Sequence, residues 1–250
     1  MSRPVCAIVT GASSGIGLAV SQRLVNDGYQ EANWDLRAPT EKHAGIHFVQ
    51  CDVSQEEAIK TAFEQTTEKL GTCGVLVNNC GLQFMSPIEE FPVDKWEKLI
   101  GIMLTGTFMC TKTVLPNMRT LGKGRIINIS SVHGKLASPF KSAYVAAKHG
   151  VLGFAKVAAI EAAPHKITVN TICPGFVDTP LMREQVKSQM ALNNLKEEEV
   201  LASIFLKDSH IKQLTTPSQV ADMVAYLVSD SAATITGEAF NISGGWGMGL

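Results

Sequence analysis

Tyr144 and Lys148 stand four residues apart in the stretch 131–150, SVHGKLASPFKSAYVAAKHG, which opens on Ser131. On a helix, residues at that spacing lie one above the other, so a phenol and an ammonium would meet on one face. That pairing can make a base from tyrosine. A free phenol titrates near pKa ~10, and lowering it by about three units takes roughly 4 kcal/mol of preferential phenolate stabilisation. One ammonium about 5 Å away offers roughly 3 kcal/mol at an effective dielectric of about 20, and a second cation would supply the rest. Ser131, at an expected strand end, is placed to hold a substrate oxygen beside the phenol. The same spacing is also an ordinary helix surface pair, so its meaning depends on what the rest of the chain builds around it.

Residues 5–9 read as a buried strand, 10–17 (TGASSGIG) as a glycine turn, and 18–27 as a helix with Val20, Leu24 and Val25 inward. Gly11, Gly15 and Gly17 permit a tight turn. With Ser13, Ser14 and Ile16 they would bring backbone N–H groups at a helix N-terminus close to a pyrophosphate. The second strand, 30–34, ends in Asp35, where a carboxylate would accept hydrogen bonds from an adenosine ribose and repel a 2′-phosphate, favouring NAD over NADP. Arg37 is the residue that could instead hold that phosphate. Only 36–46 separates Asp35 from the strand at 47–50, close to the ~10–12-residue minimum for a crossover, so its helix should be short or absent. Asp52 and Val53 follow, placed to cover the adenine. Ser54 with Glu57 gives a start signal for a helix over 55–70.

The buried strand at 74–81 ends in Asn78, Asn79 and Gly81; the amides would pin neighbouring strands and Gly81 would let backbone touch the cofactor. A helix runs from near Val93 to about Met118, with Trp96, Leu99, Ile100 and Met103 at helical spacing. The strand at 124–131 delivers Ser131 at its C-terminal end, where ligands bind in open α/β sheets. An oxidised nicotinamide ring arriving there would be the second cation that Tyr144 requires. After Lys148 the helix continues to about Ala163, before Pro164. A strand at 167–172, a helix opening at Thr216 and Pro217, and a strand at 239–242 complete the rhythm. The expected fold is a single α/β domain over 1–250, a Rossmann-like doubly wound parallel sheet with helices on both faces.

Composition narrows the partners. A net charge of -1 offers no basic field for nucleic acid and no polybasic membrane patch, so a small molecule is the expected ligand. The six cysteines show no C-x-x-C and no ligand-like spacing to histidine, so neither a metal site nor a disulfide framework is expected. Reduced thiols fit the cytosol. The start, MSRPVCAIVTG, shows no long apolar leader, and the sequence reads as having no apolar run long enough to span a membrane.

TGASSGIG at 10–17, NNCG at 78–81, Ser131, Tyr144 with Lys148, and Pro174-Gly175 occur in the order and at the spacing of the short-chain dehydrogenase/reductase family, which the chain resembles over nearly its full length. That resemblance implies that Tyr144 is the catalytic acid/base, that Lys148 lowers its pKa and holds the nicotinamide ribose, and that Ser131 positions the substrate oxygen. It further implies that Val177 and Thr179 contact the nicotinamide carboxamide. One departure stands out: the family commonly has asparagine where this chain has Met103, and methionine cannot hold the water through which the lysine is thought to pass its proton. Met103 is then a core residue with proton release by another route, or turnover is slowed.

Four polar side chains bracket the tyrosine in sequence: Gln83, His133, Lys141 and Gln185. A cation, an imidazole and two amides around a small volume would bind a compact carboxylate. NNCGLQ, IEEFPVDKW, SVHGKLAS and KSAYVAAKHGVLGF are similar to the matching stretches of bacterial D-3-hydroxybutyrate dehydrogenases, and the four residues match that group's carboxylate-binding positions. The resemblance implies NAD-dependent interconversion of a small 3-hydroxy acid and its 3-oxo acid, with (R)-3-hydroxybutyrate as the leading candidate. The alternatives are another substrate of the family, such as a 3-oxoacyl thioester or a cyclic diol, or a non-catalytic cofactor-binding protein. Residues 181–206, apolar at helical spacing among charges, read as a substrate lid. The glycine-rich end at 244–250 reads as a mobile tail, and in relatives such a tail supports a homotetramer.

Overall fold

A computed structural model describes residues 5–249. The expected lack of a leader at 1–4 and the last residue of the tail lie outside them. Seven parallel strands, β1 (Val5–Thr10), β2 (Gln30–Asp35), β3 (Ile46–Gln50), β4 (Thr72–Asn78), β5 (Gly124–Ile129), β6 (Ile167–Pro174) and β7 (Ala239–Ile242), form one sheet in the order β3-β2-β1-β4-β5-β6-β7. The chain winds outward from β1 to β3, then crosses back to β4 and winds the other way. The reversal leaves a crevice at the C-terminal ends of β1 and β4.

Strand β1 shows why the sheet is covered on both sides. Cys6 and Ile8 point to one core and Ala7 and Val9 to the other, as period-2 alternation requires. The first core is closed by α2 (Glu56–Leu70), α4 (Gly106–Leu121) and α5 (Ser142–Ala162), the second by α1 (Gly15–Asn26) and α8 (Pro217–Val228). Between β2 and β3 the chain forms only turns, as the length of that segment requires.

Several elements depart from expectation. Ser54 does not cap α2: its hydroxyl donates to Asp52 Oδ1 at 2.7 Å, and the helix opens at Glu56 after Gln55. The helix through Met103 is α3 (Val93–Ile100) joined to α4 by a wide π turn at Gly101–Thr105. The continuous helical run Val93–Leu121 is, by length and composition, long and apolar enough to cross a membrane, although polar residues interrupt it. Its apolar side is the packing surface against the sheet, where Met109, Cys110, Val114 and Met118 are buried. The segment 181–206 folds as α6 (Pro180–Asn193), α7 (Glu197–Val200) and a π turn at Leu201–Phe205, around a small core of Met182, Val186, Val200 and Phe205. The tail is not loose: His210 and Ile211 donate backbone N–H bonds to the Gly244 carbonyl, and Ser243 Oγ donates to the Trp246 carbonyl at 2.8 Å.

Candidate active site

The crevice holds a cavity of about 400 Å³ running from the glycine turn to α6. At one end, Gly11 (φ +66°) and Gly15 (φ +55°) take the left-handed backbone that the turn needs. A Cβ on Gly17 would fall 2.3 Å from the Gly11 carbonyl oxygen, so only glycine lets α1 approach the turn this closely. Ser14, the N-cap of α1, makes no side-chain cap, and the first turn carries no acid. Its backbone N–H groups are therefore open to an anion. Gly11, Ser14, Gly15 and Ile16 line this end.

Ser13 and Gly17, both expected at the cofactor, do not line the cavity. Ser13 serves the loop after β2: its hydroxyl donates to the Arg37 carbonyl at 2.6 Å and its N–H to Asp35 Oδ2 at 3.1 Å. Gly17 lies beneath the turn. Asp35 faces the cavity, with Oδ1 also accepting the Arg37 N–H at 3.2 Å, whereas Arg37 is not part of the wall. Asp52 and Val53 line the same region. Asn78 pins the sheet as expected, donating to Asn128 Oδ1 at 2.9 Å. Asn79 lines the cavity while clamping the turn, through bonds to the Thr10 and Gly11 carbonyls at 3.0 and 3.1 Å. Gly81, Pro174, Gly175, Val177 and Thr179 complete the middle of the cleft. These groups fit an elongated nicotinamide dinucleotide: open N–H groups for its phosphates, a carboxylate for a ribose, and glycine where backbone must approach.

At the other end stand Ser131, Tyr144 and Lys148. Ser131 leaves β5 and caps the turn Val132–Gly134, accepting the His133 N–H at 3.1 Å. A Cβ on Gly134 would fall 2.6 Å from Ser130 Oγ and 2.9 Å from the Lys148 carbonyl, so this glycine lets the turn press against α5. The pressing brings the Ser131 hydroxyl into a hydrogen bond with Tyr144. Lys148 Nζ lies 5.6 Å from the Tyr144 ring centre and donates to the Ile129 carbonyl at 2.8 Å.

The ammonium does not by itself make Tyr144 a base. Burial pushes the phenol above its ordinary range, with the Ser131 hydrogen bond pulling the other way. Burial likewise lowers Lys148 to about 8. The shift runs opposite to the expected lowering because the phenolate's loss of water outweighs the Ser131 hydrogen bond. A second positive charge in the cleft is needed to change the sign.

Gln83, His133, Lys141 and Gln185 all line this end, together as predicted. The Gln83 Oε1 is buried without a partner. Lys141 Nζ lies 5.8 Å over the Phe176 ring, its pKa lowered by burial. His133 is sunk between Tyr144 and Trp246, with ring centres 6.0 and 5.2 Å away, and both its nitrogens are engaged by serine hydroxyls. Among the wall residues that sequence reasoning missed are Phe176 and Trp246. Phe176 stacks on Trp246 at 5.4 Å. An aromatic directly after Pro174-Gly175 and a lone tryptophan in a glycine run were the available signals.

A second cavity, of about 550 Å³, lies outside this wall and shares Lys141, Phe176, Leu181, Gln185 and Trp246 with the first. Tyrosine, serine and lysine converging beside a dinucleotide cleft can exchange a proton with a hydroxyl or keto oxygen while a hydride moves on the adjacent carbon.

The short chain dehydrogenase family model matches residues 5–190. A D-beta-hydroxybutyrate dehydrogenase of Rhizobium meliloti (strain 1021) is 40% identical, covering 96% of this chain and 97% of its own. The ligand-free aldohexose dehydrogenase of Thermoplasma acidophilum superposes with a TM-score of 0.91 at 31% identity, covering 98% of this chain and 94% of its own. A single-substitution variant of the actinorhodin polyketide ketoreductase, with NADPH, gives 0.89 at 33% identity, covering 99% and 100%. With the glycine cradle, the serine–tyrosine–lysine cluster and a match over most of its length, this chain belongs to the short-chain dehydrogenase/reductase family of nicotinamide-dependent oxidoreductases.

Proposed function

We propose that the protein interconverts a small 3-hydroxy acid and its 3-oxo acid with NAD, (R)-3-hydroxybutyrate and acetoacetate being the pair the site suits best. The observation that carries this reading is the Lys141 ammonium, with the Gln83 and Gln185 side chains, on the wall of the cavity that holds Ser131 and Tyr144. A short 3-hydroxy acid with its carboxylate held there would present its hydroxyl to the tyrosine. Phe176 and Trp246 close the remaining side with apolar surface suited to a methyl group.

The nicotinamide, when bound, accepts or returns the hydride. Tyr144 takes the hydroxyl proton in oxidation and gives it back in reduction, Ser131 holds the oxygen in line, and Lys148 keeps a positive charge beneath the phenol. The Asp35 carboxylate in the wall, with Arg37 outside it, favours NAD: a ribose diol can donate to Asp35, and a 2′-phosphate would meet it as a like charge. Helix α6 covers the substrate end through Leu181, Met182 and Gln185, which supports reading 181–206 as a lid.

A second reading, reduction of a 3-oxoacyl thioester, draws on the outer cavity, which could hold what lies beyond the thioester sulfur. Inhibition separates the two. Short carboxylates such as acetate and malonate should compete with substrate if Lys141 holds a free carboxylate; no competition, with turnover of an acyl thioester, would replace the first reading by the second. We also propose a homo-oligomer, supported by the apolar face where Phe108 of α4 meets Phe154 of α5 at 6.0 Å, flanked by exposed Val157 and Ile160.

A further inference from the structure

Each alcohol oxidised leaves one proton on Tyr144, and that proton must reach solvent before the phenol can act again. On the lysine side of the phenol the described residues place an ammonium and a thioether. Lys148 Nζ donates one N–H to the Ile129 carbonyl. A methyl on Gly81 would lie 3.9 Å from both Lys148 Nζ and Met103 Sδ, so the ammonium and a thioether with no exchangeable proton both face Gly81.

The serine side is built differently. Ser131 bonds to Tyr144. Its Oγ lies 3.4 Å from His133 Nδ1, and His133 Nε2 lies 2.8 Å from Ser138 Oγ. Ser138 is partly exposed, in the loop before α5, and lines the outer cavity beside the exposed Pro139 and Phe140. We propose that Tyr144, Ser131, His133 and Ser138 form a proton relay from the phenol to the outer cavity.

The proposal rests on the dehydrogenase reading and assigns His133 a task beyond lining the substrate cavity. Every member can donate and accept through the same group, or through the two nitrogens of one ring. In oxidation the Tyr144 O–H bond breaks and Ser131 Oγ takes the proton. The serine's own proton moves to His133 Nδ1, the Nε2 proton moves to Ser138 Oγ, and the proton of Ser138 passes to solvent. One proton leaves, the phenolate is restored, and no electrons move. The ring is left as its Nδ1–H tautomer and returns to the Nε2–H form by proton exchange with solvent, and reduction runs the chain backwards. Burial, with Lys141 and His149 nearby, holds His133 down to about 4, so near neutral pH the ring is uncharged and passes protons without storing one.

The test uses the full chain and, first, NAD alone. Binding an oxidised nicotinamide beside Tyr144 should ionise the phenol, and a pH indicator in rapid mixing reads the proton released. We expect Ser138→Ala and His133→Phe to release the same number of protons about tenfold or more slowly, with NADH affinity unchanged. We expect His133→Ala to regain speed with added imidazole, as His133→Phe does not. In turnover, kcat should fall more than KM rises. Unchanged release rates in Ser138→Ala, which alters a partly exposed loop and should fold normally, would overturn the relay and leave the dehydrogenase reading standing. A raised KM with unaltered kcat and no imidazole rescue in His133→Ala would also overturn it, reducing His133 to a wall residue. NAD binding without any proton release in wild type would remove Tyr144 as the base, and the relay would fall together with the reading beneath it.

Discussion

Asp35 Oδ2 accepts the backbone N–H of Ser13 at 3.1 Å, tying the end of β2 to the glycine turn with the carboxylate facing the cleft. Replacing it by serine removes the ribose acceptor and the like charge against a 2′-phosphate. Asp35→Ser should lower kcat/KM with NAD by about 10- to 100-fold, the worth of one charge-assisted hydrogen bond, and raise it with NADP. Paired steady-state assays check this; an unchanged NAD/NADP ratio would contradict it.

Lys141 should matter to binding more than to chemistry. Lys141→Met keeps the apolar stem over Phe176 and removes the charge. KM for a short carboxylate should rise about 10- to 100-fold with kcat changed little. A collapse of kcat at constant KM would instead put the ammonium at the reacting carbon.

Met103 is buried with Leu99, Ala143 and Ala147, and its carbonyl already accepts the Thr107 hydroxyl at 2.7 Å. It behaves as core. Met103→Asn exchanges packing for a buried amide and should cost about 2–3 kcal/mol, lowering Tm by roughly 4–10 °C, without raising kcat. A tenfold gain in kcat would show that methionine is a handicap after all.

Glu31 lies fully buried on β2, with Ser21 Oγ donating to Oε1 at 2.7 Å and Oε2 without a partner, and burial raises its pKa to about 8. The folded state holds this proton more tightly than the unfolded one. Stability from this group is therefore whole below about pH 4.5 and is lost as pH rises through about 8. The loss by pH 8 is on the order of 4 kcal/mol. Thermal melts should find Glu31→Gln flatter with pH and more stable than wild type at pH 8; parallel curves would refute the assignment.

Much of this was legible because it is local. Gly11, Gly15 and Gly17 announce a tight turn wherever they follow a buried strand, and Tyr144 and Lys148 share a face by helical spacing alone. What was not legible depended on the third dimension. Ser13 looks like a phosphate ligand until the β2 loop claims its hydroxyl. The sign of the Tyr144 shift follows from how deeply α5 is buried, which spacing does not carry. The π turn at Gly101–Thr105 leaves no mark in composition. Gly244, Gly245, Gly247 and Gly249 suggest looseness, yet each takes a positive φ, and the folded tail sets Trp246 against His133.

NADH formation from (R)-3-hydroxybutyrate, with the (S) isomer and NADP as parallel controls, tests the central claim most directly. Activity confined to the (R) acid and NAD is the predicted result. No turnover of either isomer, by a protein shown separately to bind NADH, would contradict it and leave the cavity beside Tyr144 to a different hydroxyl or keto substrate.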